Sequence, residues 1–228
     1  MLRPLHSVCL LISSLLIVSS VVADAQSPIP VSAGEASVVT FTLDFPESQP
    51  EHYSLRVPSE GPAHYESSGR LSSDSDVTDS FDFDFTLSAE TRSKILALAA
   101  KAGYFQKDLD AHHKNIAFTG KKTLTYKDAH VAGEATYNFT SNPAAQELTA
   151  LFQNLSATLE FGHRLDYDRR YQKLALNQEL QRMQEMAQTN LLAELSAIQP
   201  ILEKIVADQS VVNVARARAQ RLLQAPAH

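Results

Sequence analysis

The repeat of the apolar residues changes once along this chain, and that change limits the folds open to it. Up to Gly162 the apolar side chains recur mostly at every second position; from Leu176 they recur about every 3.6. Glycine and the aromatics follow the same divide. None of the seven Gly lies beyond Gly162, the last Phe is Phe161 and the last Tyr is Tyr171. A turn-rich first part and a helical second part are therefore expected.

Val39, Phe41, Leu43 and Phe45 share one strand face, and Thr40, Thr42 and Asp44 the other. Tyr53, Leu55 and Val57 mark a second strand, and Ala63 and Tyr65 a short third one. A polar loop is expected over 67–80, and then Phe81, Phe83, Phe85 and Leu87 alternate with Asp82, Asp84 and Thr86. One apolar face per strand is the pattern of an antiparallel sheet covered on one side. Ser88 is a helix N-cap, with Ile95, Leu98, Ala99 and Ala102 as the buried stripe and Gly103 as the stop. A second hairpin has one arm from Ile116 through Leu124 and Tyr126, and the other over Ala135, Tyr137 and Phe139. Asn142-Pro143 then opens a helix carrying Leu148, Leu151, Phe152, Leu155 and Leu159. The expected class is α+β: an antiparallel sheet of about five or six strands covered by two helices, followed by a C-terminal helical region.

In that region the stripe runs Leu176, Leu180, Met183, Ala187, Leu191, Leu195, Ile198, Leu202, Ile205. A period of about 3.6 favours packing on a neighbour over the 3.5 of a coiled coil. Pro200 predicts a kink or break near Ile198. Residues Pro200 to Leu223 resemble one HEAT-type repeat: a helix, an Asp-containing turn and a Val-x-x-x-Ala-Arg-x-x-Ala helix. The pattern occurs once, and solenoids stack several copies, so a plain helical hairpin is expected.

Residues 1–25 read as a secretory signal peptide. Arg3 gives the positive start, Val8 to Val22 is an uncharged apolar run, and Ala23-Asp24-Ala25 is a small-x-small junction before Gln26. The run is shorter than the roughly 18–20 residues of a spanning helix. A secreted or periplasmic protein without a membrane span in its mature chain is expected. Cys9, the only Cys, lies in the signal. The mature chain then has no disulfide, thiolate metal site or Cys nucleophile. The expected organisation is a signal over 1–25, an extended leader over 26–36, a sheet domain over 37–161 and a helical arm over 162–228, with Gly162 as the joint.

The charge is uneven. Residues 26–162 carry 10 Lys and Arg against 18 Asp and Glu; residues 163–228 carry 9 against 7. An acidic chain of this kind is a poor nucleic-acid binder. Imidazole and carboxylate ligands for a divalent ion are offered by Asp110, His112 and His113 in one loop and by His130 in the next. The acidic run from Asp74 lacks the Gly and Glu of a calcium-binding EF-hand loop. Gly120-Lys-Lys-Thr123 lacks the earlier Gly and the following helix of a phosphate loop. No G-x-S-x-G is present. Arg164, Arg169 and Arg170, interleaved with Tyr167 and Tyr171, are expected to tie their helix to the acidic first part. No residue set calls for a cofactor. The reading that follows is an exported, non-enzymatic interaction or structural protein. It would dock to an unknown protein partner, or to itself, through its C-terminal amphipathic helices. The alternative is a small exported metal-binding protein or metal-dependent hydrolase built on His112, His113 and His130.

Overall fold

Alternation becomes pairing in the structure. The computed structural model describes residues 36–46, 48–70 and 78–224, all within one structural unit. The expected signal, its Ala25–Gln26 junction, nearly all of the leader, and Asp74 and Asp76 lie outside the described residues. Six strands form, β1 (Val38–Asp44), β2 (His52–Pro58), β3 (Ala63–Arg70), β4 (Thr78–Phe85), β5 (Lys121–Lys127) and β6 (Ala132–Tyr137). They make one sheet in the order β4-β3-β2-β1-β5-β6, with every neighbouring pair antiparallel. The α+β class expected from the sequence is the one observed.

β1 is central because both of its edges are used: Phe41 stands opposite Leu55 on β2 and Leu124 on β5. Val39, Phe41, Leu55, Val57, Tyr65 and Leu124 are fully buried on the inner face. Helices α1 (Ala89–Lys101) and α2 (Pro143–Tyr171) supply the apolar cover; Phe152 of α2 stacks on Phe41 with ring centroids 5.3 Å apart. Both helix starts follow the sequence. Ser88 Oγ accepts the Thr91 N–H at 3.1 Å, and Asn142 Oδ1 accepts those of Ala144 and Ala145. Each cap satisfies donors that the first turn leaves without a partner.

Three local expectations are corrected. The polar stretch 67–80 is not all loop: Ser67 to Arg70 extend β3, and Thr78 to Ser80 begin β4. Ser67 tolerates its buried place because Glu160 accepts its hydroxyl proton at 2.7 Å. The arm expected from Ile116 starts only at Lys121. Gly120, directly before β5, takes a φ of +94°, which a strand does not allow. Phe139 falls beyond β6 and is exposed.

Gly162 is no joint. It lies inside α2, whose 29 residues run on to Tyr171. A Cβ there would stand 2.5 Å from Ile198 Cγ2, so this glycine serves close approach, not bending. Of the remaining helices, α3 (Leu176–Gln188) and α4 (Gln199–Ala207) pack with α2, and α5 (Asn213–Leu223) packs with α3 and α4. The stripe is covered inside the chain: Leu176, Leu180, Met183, Ile198, Leu202 and Ile205 are all buried. Leu191, 49% exposed, falls in a non-helical stretch where Asn190 and Glu194 take positive φ. Pro200 does mark a boundary. It stands in the first turn of α4, directly after a 3-10 turn at Leu195–Ile198, where a missing N–H costs nothing.

Candidate functional site

The proposed metal ligands do not converge. His112 Nε2 lies 2.8 Å from Asp108 Oδ2, and its Nδ1 lies 3.7 Å from Asp110 Oδ1. Each ring nitrogen thus faces its own carboxylate, and no single point gathers the imidazole with both acids. His113 lies beside the Phe139 ring, with centroids 5.8 Å apart. His130 belongs to the β5–β6 turn, where its N–H donates to Asp128 Oδ1 at 2.7 Å. Among the described residues no group of three or more His, Cys, Asp or Glu is arranged to hold an ion. The Asp108 contacts raise the His112 pKa. Backbone N–H donors, with the imidazole beside them, lower those of Asp108 and Asp110.

A polar seam that the sequence reading missed joins the sheet to α2 and α3. The Tyr65 hydroxyl donates to Glu160 Oε1 at 2.8 Å, and Ser67 Oγ donates to the same oxygen at 2.7 Å. With the Tyr65 proton so committed, Ser156 Oγ, 2.9 Å away, is the donor to Tyr65. Burial, with the Glu160 charge adding to it, holds the Tyr65 hydroxyl far above its usual range. It remains a donor, never a base. On α3, Glu179 is buried. Its Oε1 accepts Arg164 Nε at 2.5 Å and its Oε2 accepts an Arg182 N–H at 3.3 Å. One carboxylate shared by two guanidiniums is how a buried charge becomes tolerable. The seam borders a cavity of about 410 Å³ between the β1–β2 turn and the two helices. A readable signal existed for Glu179: it sits one turn from Leu176 and Met183 on an otherwise apolar face.

The basic set behaves differently from expectation. Arg164 bonds Glu179, while Arg169 and Arg170 both pair with Asp166. Arg169 and Arg170 are held on their own helix because residues three and four apart meet before any distant acid does, while Arg164 also reaches Glu160 of the acidic first part, at 4.0 Å. The aromatic members stay outside. Tyr167 and Tyr171 lie on successive turns with ring centroids 5.1 Å apart, and Tyr171 is 70% exposed. Leu174 follows at 86%. Lys173 Nζ donates to Asp208 Oδ2 at 2.8 Å and also to Ser210 Oγ. That clasp sets the α2–α3 turn beside the α4–α5 turn, from which exposed Val212 and Val214 lead into α5. Five of the nine exposed large apolar side chains among the described residues therefore lie on the two segments that this clasp joins. Monomer surfaces seldom group such side chains without a use.

No helix among the described residues is long and apolar enough to cross a membrane. No protein-family model matches the chain, and no curated protein is significantly similar to it.

Proposed function

We propose that this chain is an exported, non-enzymatic interaction protein that docks through its C-terminal helical region. The carrying observation is the cluster of Tyr167, Tyr171, Leu174, Val212 and Val214 on the two segments that the Lys173 clasp joins. The original motive for docking, an unpartnered stripe, is gone, since the stripe is buried. The recognition surface is instead the exposed helix ends. Arg170 and Lys173 beside it already pair with Asp166 and Asp208, so the occupant is a protein surface with an apolar centre. Export is supported by Arg3, the apolar run Val8 to Val22 and the Ala25–Gln26 junction.

The test is made in the exporting cell, with a photo-crosslinking residue at position 171. Fractionation and the intact mass of the recovered protein are expected to place a chain beginning at Gln26 outside the cytoplasm. A discrete protein adduct is expected, lost in a Leu174→Asp background whose melting temperature is unchanged. A full-length chain in the cytoplasm overturns the export. An adduct indifferent to Leu174→Asp, or none at all, overturns the docking surface. An adduct of twice the chain mass assigns the surface to a second copy.

A further inference from the structure

The sheet has two edges, β6 and β4. The turn at Gly103–Phe105 covers the inner face of β6, where a Cβ on Gly133 would stand 2.1 Å from the Tyr104 carbonyl oxygen. β4 pairs with β3 on one side and is the last strand on the other. Its outward backbone groups have no hydrogen-bond partner among the described residues. An edge of this kind is a template for another strand.

The two faces of β4 differ. Phe81, Phe83 and Phe85 form a ladder on the inner face, with successive centroids 5.7 and 6.3 Å apart; Phe81 and Phe83 are only half-buried. Beside Phe83 and Phe85 runs a groove of about 420 Å³, whose far wall is Ala197 and Pro200. On the outer face Asp82 and Asp84 project side by side, with Glu66 of β3 opposite Asp82. His64 is the one base among them, 2.9 Å from Asp84 and 3.5 Å from Asp82. A second β4 would bring carboxylates against carboxylates, which disfavours pairing with itself.

We infer that the β4 edge accepts an extended segment of another protein that alternates apolar residues with Lys or Arg. The added strand lies about 4.8 Å from β4. Its backbone completes the free hydrogen bonds, its apolar side chains enter the phenylalanine groove, and its cations meet Asp82 and Asp84. This surface is independent of the helix-end cluster and stands or falls without it.

A labelled peptide, acetyl-(Lys-Val)3-Lys-amide, is titrated into the full chain and followed by fluorescence anisotropy. Saturable binding is expected, at least about tenfold tighter than that of the Glu-Val counterpart. Two further peptides carry N-methyl groups at alternate residues. One of them, methylated on the pairing edge, is expected to lose about tenfold or more, and the other to keep its affinity. The exposed double substitution Asp82→Lys, Asp84→Lys is expected to reverse the preference between the Lys and Glu peptides. Equal binding of both peptides overturns the charge match, and indifference to both methylation patterns overturns strand addition. Loss of binding on Leu174→Asp moves the site to the helix ends. A dimer that the peptide dissociates, seen by light scattering, gives the edge to a second copy.

Discussion

The two edge strands of the sheet differ in what lies over their inner faces. On β6 the Gly103–Phe105 turn sits so close to Gly133 that no side chain fits between them. On β4 the inner face carries the half-buried Phe81 and Phe83, and the outer face Asp82 and Asp84. Backbone laid over a face leaves no room there for a partner's side chains, whereas an open apolar face backed by charge excludes only partners of the same sign. The difference is between a covered strand and a selective one.

The largest effect is expected where the cover of β6 is forced away. Gly133→Ala drives a methyl group into the Tyr104 carbonyl and should cost about 2–3 kcal/mol in urea unfolding. Ser80→Ala on β4 should stay within about 0.5 kcal/mol. Equal losses would dissolve the distinction. Next comes native-state amide exchange. Outward amides of β4 should exchange at least about tenfold faster than the amides of β1, which is paired on both sides, and equal protection would show that β4 is also covered.

The smallest effect concerns the loop before β5. Bonding to Asp108 raises the His112 pKa in the folded chain above its unfolded value. The pair therefore supports the folded loop fully below the unfolded pKa and lets go as pH rises through the folded one. An NMR titration should place His112 above an ordinary histidine and return it to the ordinary range in Asp108→Asn. No shift on that substitution would remove the pair from the account.

Legibility in the sequence followed the range of the forces involved. Val39, Phe41 and Leu43 announced β1 because alternation is local, and Ser88 and Asn142 announced their helices because a cap bonds within three residues. Nothing local reveals that β1 would pair with β5 or that β4 would end the sheet. Ser67 falls in the stretch expected as polar loop, and Glu179 and Lys122 are charged, yet all three are buried. Each is made tolerable by distant groups: Glu160 for Ser67, Arg164 for Glu179, and the Asn138 carbonyl for the Lys122 amine, with Thr119 and Gly120 beside it. The metal reading failed for a related reason. Asp108 and Asp110 lie near enough in sequence to engage His112 themselves, while His113 and His130 are positioned by other contacts.

The continuity of α2 through Gly162 has a consequence for how the chain melts. The helix lends one stretch of its surface to Phe41 and Tyr65 and another to Ile198. Neither layer can come apart without stripping apolar cover from the other. Two regions that differ in composition and net charge are thereby bound to a common fate, and the described part of the chain is expected to unfold as a single cooperative event.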